Sequence, residues 1–247
     1  MARFAVILAA AGKSTRFKDR EKKQFANLDG RAVWLRCAEL FITRADVCQF
    51  LVVIAPEDRE KFLRRYMANL ALMNAQVVEG GATRTDSVAN ALKKVKEEAE
   101  FVAIHDAARP CATPELVNAV FNAAVQHGAA ILAVPVADTL KKVGRGNRIE
   151  ATLDREGIWQ AQTPQVFRKD WLLAAYARRD QIREEITDDA QLVEAAGYSV
   201  HVVEGATTNI KITTKTDLIL AEAILKALPK PKVPGPIHPF ADEMEWR

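Results

Sequence analysis

Cysteine is scarce in this chain: Cys37, Cys48 and Cys111 are the only three among 247 residues. Their odd number and irregular spacing exclude a disulfide framework and a thiolate metal cage, and they read as reduced thiols of a cytoplasmic protein. No apolar run approaches the length of a membrane span, and the N-terminus enters a strand directly where a cleavable leader would place its apolar region. A strong charge of one sign is missing too. Lysine and arginine number 35 against 32 acidic residues, a net charge of only +3, so extended nucleic-acid binding is not implied. Five of the ten prolines fall within residues 229–239. That stretch cannot continue the preceding helix and reads as an extended tail over 229–247, beyond a single domain at 1–228.

What the chain does have is core material. A hydrophobic share of 49% with 27% charged residues suits one α/β domain. Strand-length apolar runs at 4–8, 50–55, 76–79, 101–105, 130–135 and 199–203 alternate with helical patterns at 31–43, 56–66, 83–95, 113–126, 169–177, 188–196 and 215–228. The alternation predicts a Rossmann-like α/β fold, a mostly parallel sheet covered by helices on both faces. Ligands of such sheets bind outside the carboxyl ends of the strands, which directs attention to the loops that follow them.

Two common phosphate loops are absent from the first of these. A Walker A pattern ending at Gly12-Lys13-Ser14 would need its first glycine at Ile7, in mid-strand, and the dinucleotide pattern fails because Ala10 and Ala11 precede the one glycine. What remains is a small-residue turn, Ala9-Ala10-Ala11-Gly12, with room for a base or a phosphate, followed by Arg16 and Lys23. Gly80-Gly81-Ala82-Thr83-Arg84-Thr85-Asp86-Ser87 forms a second loop. Its glycines permit close approach, Thr83 and Asp86 have capping-box spacing, and Arg84 and Ser87 lie one helical turn apart. In the third, His105-Asp106-Ala107-Ala108-Arg109-Pro110, a carboxylate ends a buried strand and must be paired or hold a cation. Asp106 is expected to serve a nucleotide-bound Mg²⁺ and Arg109 to pair with it or brace the loop. His105 reads as a satisfied strand-end histidine.

Residues 139–143 and 148–153 flank a Gly144–Asn147 turn and predict a projecting β-hairpin arm, at about 137–159 in all. Two strands alone are marginal in water, so the arm should pack on something, most economically a second copy of the chain. Asp154-Arg155, Trp159–Gln165 and Ile186–Asp189 follow, with hydroxyls and one arginine suited to a small polyol phosphate. Asn209–Thr213 reads as a short strand carrying Lys211 ahead of a helix opened by Thr214 and Asp217.

Together, Leu8-Ala-Ala-Ala-Gly12, Arg16, Lys23-Gln24, Gly80-Gly81-x-x-Arg84-x-x-Ser87, His105–Pro110, Thr163-Pro-Gln165, Ile186-Thr-Asp188 and Asn209–Thr213 resemble the 2-C-methyl-D-erythritol 4-phosphate cytidylyltransferases, in order and at matching spacing over residues 4 to 226. The resemblance implies a homodimeric enzyme of the non-mevalonate isoprenoid pathway that uses CTP and Mg²⁺. Carried over by position, Ala10, Ala11, Gly12, Gly80, Gly81, Arg84 and Ser87 would hold the nucleotide. Arg16, Lys23 and Lys211 would surround the triphosphate as the catalytic cations, and Asp106 would help place the metal. Thr139, Arg155, Thr163 and Thr187 would hold the polyol phosphate, together with Thr208, which stands where relatives often carry aspartate. No protein base is needed, because the acceptor phosphate is already anionic near neutral pH and attacks the α-phosphorus in line. Three rivals remain at the level of sequence. One is ribitol-5-phosphate cytidylyltransferase, another a nucleotidyltransferase acting on a sugar 1-phosphate, and the third a non-catalytic, nucleotide-sensing dimer. Retention of all three cations counts against the last.

Overall fold

The computed structural model describes residues 2–19, 21–182 and 185–229. The proline-rich tail expected after 229 lies outside the described residues. In chain order the elements are β1 (Phe4–Ala9), β2 (Asn27–Leu28), β3 (Arg31–Ala32), α1 (Val33–Ile42), β4 (Val47–Ile54), α2 (Arg59–Leu72), β5 (Ala75–Glu79), α3 (Arg84–Leu92) and β6 (Phe101–Asp106). There follow α4 (Pro114–His127), β7 (Ala129–Pro135), β8 (Leu140–Val143), β9 (Ile149–Leu153), β10 (Trp159–Arg168), α5 (Lys169–Ala177), α6 (Asp189–Ala195), β11 (His201–Glu204) and α7 (Lys215–Ala227).

Seven strands form one sheet in the order β11-β7-β10-β6-β1-β4-β5. Strand β1 is parallel to both β4 and β6 at its centre, and alternate residues of β1 serve opposite faces. Val6 and Leu8 join the core with Trp34, Phe41, Phe62 and Phe121 of α1, α2 and α4, while Ile7 joins Val88 of α3, Leu172 of α5 and Leu192 of α6. All three β1 residues are fully buried, each contributing about 1.5–3 kcal/mol of hydrophobic stabilisation. Covering both faces in this way makes the whole strand an apolar run.

One strand runs against the rest. β10 pairs antiparallel with both β6 and β7, in a segment to which the sequence reading assigns no strand. The glutamines and Pro164 hide it. Its ladder to β7 shifts register between Ala161 and Gln165, which removes the need for an N–H at Pro164. The buried Gln162 and Gln165 find partners of their own: Gln162 Nε2 donates to Ala206 O at 2.8 Å, and Gln165 Nε2 to Asp188 Oδ2 at 2.8 Å. A second correction concerns Asn209–Thr213, which forms no strand. The segment is instead a strap over the end of β6. Asn209 is fully buried and donates from Nδ2 to Gln162 Oε1 and Thr163 O, both at 3.1 Å, while Ile212 N donates to Ala108 O at 2.8 Å. The expected hairpin is present as β8 and β9, paired Leu140↔Leu153 at its base and separate from the main sheet.

Candidate active site

The carboxyl ends of β1, β4, β5 and β6 open onto a cavity of about 690 Å³. Its lining includes Ala10, Ala11, Gly12, Arg16, Lys23, Gly80, Gly81, Arg84, Ser87, Asp106 and Lys211. Four segments, from residue 10 to residue 211, therefore converge here, because the parallel topology places successive βα loops on one edge. Lys13, Ser14, Gln24 and Thr213 also line it without having been singled out as site residues.

The loop after β1 is stitched by Gln24, which is 2% exposed. Its Nε2 donates to Ala10 O at 2.8 Å and Gly12 O at 3.1 Å, and its Oε1 accepts from Ser14 Oγ at 3.0 Å. Ser14 Oγ in turn accepts from Lys23 N at 3.2 Å. A loop this thoroughly bonded presents its small residues and Lys23 from a fixed backbone.

Opposite it, Thr83 and Asp86 form the full capping box of α3, and Ser87 Oγ accepts from Gly81 N at 3.0 Å while donating to Thr83 O at 2.8 Å. The glycine at 80 is required by close approach. A Cβ there would come within 2.7 Å of Ala11 Cβ and 2.9 Å of Ser87 Oγ. The loops after β1 and β5 thus leave no room for a side chain between them.

Charge in the cavity is concentrated on Asp106. Lys211 Nζ stands 2.6 Å from Asp106 Oδ2, and Arg84 Nε stands 3.4 Å from Oδ1. Burial alone would raise this carboxyl's pKa, but the Arg84 and Lys211 charges overcome it and hold the group below the usual carboxylate range. Lys23 behaves in the opposite sense. Burial, and then the Lys211 and Arg16 charges, lower its pKa to about 8, with Asp106 and Asp217 acting against the shift. Asp217, at N3 of α7, accepts from Thr213 N at 2.8 Å and Thr213 Oγ1 at 2.6 Å, and so fixes the strap just beyond Lys211.

Beneath the cavity His105 is fully buried. Its Nε2 meets Arg109 O at 3.1 Å and its Nδ1 meets Thr163 Oγ1 at 3.1 Å. Burial pushes its pKa down to about 4, so the ring is neutral near pH 7. Arg109 makes no ion pair with Asp106. Its guanidinium donates to Asn209 O at 2.7 Å and Ala161 O at 3.3 Å, bracing the strap and β10.

The residues expected to hold a polyol phosphate are not gathered at this cavity. Thr163 is 5% exposed and accepts from Asp106 N at 3.1 Å, so its hydroxyl is engaged beneath the site rather than at the cavity wall. Thr139 and Arg155 are exposed beside the arm, Thr187 is exposed and donates from N and Oγ1 to Gln191 Oε1, and Thr208 is half-buried in a turn; none lines the cavity. Sequence reading also passed over Tyr176, and took Asp189 only as the end of the 186–189 segment. Asp189 is 1% exposed, accepts from Tyr176 Oη at 2.6 Å and pairs with Arg84 at 2.7 Å. The one available signal was an unexplained second aspartate after Asp188.

Comparison with known proteins gives a consistent result. The family profile described as IspD, 2-C-methyl-D-erythritol 4-phosphate cytidylyltransferase, matches residues 4–227. A 2-C-methyl-D-erythritol 4-phosphate cytidylyltransferase of Pelotomaculum thermopropionicum is 40% identical over 228 residues, 92% of this chain and 96% of that protein. The bifunctional enzyme IspD/IspF of Desulfotalea psychrophila is 40% identical over 227 residues, and this chain spans only 58% of its length. Among solved structures, the 2-C-methyl-D-erythritol 4-phosphate cytidylyltransferase of Thermus thermophilus superposes with a TM-score of 0.73 at 35% identity, covering 90% of this chain and 98% of that one.

Proposed function

Because this chain belongs to the 2-C-methyl-D-erythritol 4-phosphate cytidylyltransferase family, we propose that it transfers CMP from CTP to 2-C-methyl-D-erythritol 4-phosphate, releasing pyrophosphate. The observation that carries the mechanism is the convergence of Arg16, Lys23 and Lys211 on one cavity beside Asp106. An anionic acceptor phosphate attacks the α-phosphorus in line, and the protein contributes position and positive charge. The loops at 10–12 and 80–87 hold the cytidine by backbone contact. Arg16, Lys23 and Lys211 neutralise charge growing on the α-phosphate and the departing pyrophosphate.

Mg²⁺ suits this site in a limited way. Among the described residues no three His, Cys, Asp or Glu side chains come together as a metal cage. Asp106 is a single carboxylate, which agrees with the habit of Mg²⁺ of taking one or two protein ligands plus phosphates and water. The ion, when bound, would neutralise phosphate charge, with Asp106 as its protein ligand. The arm would pair two copies, bringing Thr139 and Arg155 to the acceptor, and Thr187 would complete that subsite.

Release of pyrophosphate from CTP, measured with 2-C-methyl-D-erythritol 4-phosphate and separately with ribitol 5-phosphate, tests the reading. Turnover is expected with the first acceptor; turnover with ribitol 5-phosphate alone, or with neither, overturns it.

A further inference from the structure

We propose that Asp189, steadied by Tyr176, is a positioning residue for the transfer reaction: it fixes how Arg84 and Lys211 share the Asp106 carboxylate. The inference rests on the roles proposed above for Asp106 and Lys211. Asp189 is buried outside the cavity lining, so it acts through Arg84 and not on substrate.

Its own position is fixed from three sides. Tyr176 Oη donates to Asp189 Oδ1 at 2.6 Å, and the N–H groups of Asp189 and Ala190 both donate to Gln165 Oε1 at 3.2 Å. The other carboxylate oxygen takes the Arg84 guanidinium at 2.7 Å. Arg84 therefore reaches Asp106 only from Nε, at 3.4 Å, whereas Lys211 stands 2.6 Å from the second Asp106 oxygen. The difference in distance decides the allocation: Arg84 belongs mainly to Asp189, and Asp106 belongs mainly to Lys211. Two carboxylates and two cations alternate from α6 to the cavity.

Helix capping does not require this aspartate. Asp188 opens α6, accepting from Gln191 N at 3.0 Å. A buried carboxylate is costly unless paired, so a second one, placed against an arginine that also reaches the site, calls for another reason. If Asp189 loses its charge, Arg84 has one carboxylate left to satisfy it. That carboxylate is Asp106, and the competition draws it away from Lys211.

The test compares wild type with Asp189→Asn, Tyr176→Phe and the double variant, all normalised to folded protein. Wild-type turnover reports on the activity itself, and the ratios report on this inference. Asp189→Asn is expected to lower kcat about tenfold and Tyr176→Phe about threefold, with KM for CTP moving less than twofold. The double variant should be no worse than Asp189→Asn, since both act on one chain of contacts. A second readout needs no turnover: under reductive methylation read by mass spectrometry, Lys211 should gain reactivity relative to Lys226, which is paired with Glu222 in α7. Should Asp189→Asn fail to fold, Tyr176→Phe carries the test with the same two readouts. Wild-type kcat in the folded variants, or a wild-type Lys211 to Lys226 labelling ratio, overturns the proposal.

Discussion

Lys23 illustrates a side chain stabilised less well by its own fold than by the ligand proposed for it. With a folded-state pKa of about 8 against an ordinary 10.5, its charge is disfavoured by burial and by Lys211 and Arg16. The cost is fully present below pH 8. Between about pH 8 and 10.5 the unfolded chain keeps a proton that the folded one has released, so stability rises with pH across that window. Lys23→Met should therefore raise the melting temperature at pH 7 by a few degrees while lowering kcat. If deletion of an oxyanion-hole donor is a fair guide, the loss is about 2.7–4 kcal/mol of transition-state stabilisation, and kcat falls further than KM for CTP rises, as it should also for Arg16→Ala. Calorimetry and initial rates check the two halves, and unchanged kcat would remove Lys23 from the mechanism. In the wild type, kcat/KM for CTP should decline above about pH 8 as this ammonium deprotonates in the free enzyme. His105 gives the acid counterpart. With its pKa near 4, acidification from 6.5 toward 4 protonates the unfolded state first and lowers stability.

At the scale of elements, the loops that meet at Gly80 make the sharpest prediction. Gly80→Ala places a methyl within 2.7 Å of Ala11 Cβ, so the β1 and α3 loops must separate, and KM for CTP should rise about tenfold with a smaller change in kcat. Substrate titration of the variant checks this, and an unaltered KM would dissociate the two loops from the nucleotide. These loops were legible in the sequence because small residues, glycine pairs and capping spacing carry direct steric meaning. Helix α5 was read at its observed bounds and most others within three residues, since apolar periodicity and end signals agreed there, but α2 runs to Leu72, six residues beyond the end expected at 66. β10 was not legible. Gln160, Gln162, Gln165 and Pro164 contradict every local strand preference, and their partners at Ala206 and Asp188 are remote in sequence. The strap at 209–213 failed in the opposite sense. Its alternating Ile210, Lys211 and Ile212 mimic a strand, yet it is held by Asn209 contacts and one bond to Ala108. Asp189 escaped for the same physical reason: its meaning lies in Tyr176 and Arg84, neither of which spacing can reveal.

Among its described residues, the whole molecule leaves an apolar surface along the arm without cover from its own chain. The arm exposes Val143, Ile149 and Leu153 at 51, 60 and 46%, and Ile158 and Trp159 follow at 45 and 42%. A two-stranded ribbon gains too little from its own pairing to stand alone, and contiguous exposed apolar side chains of this kind mark an interaction surface. A self-complementary two-fold contact would cover both copies with a single patch. It would also account for the location of Thr139 and Arg155, which are exposed beside the arm and away from the cavity of their own chain. Replacing Ile149 and Leu153 by glutamate should convert a dimer to a monomer in light scattering. Because the proposed acceptor residues lie along that surface, KM for the polyol phosphate should rise by about tenfold or more, with CTP affinity by calorimetry changing less than twofold. A wild-type protein that is monomeric at micromolar concentration, or a monomeric variant with unaltered acceptor KM, would break the link between assembly and acceptor binding, and the acceptor subsite would then have to be completed by residues of one chain.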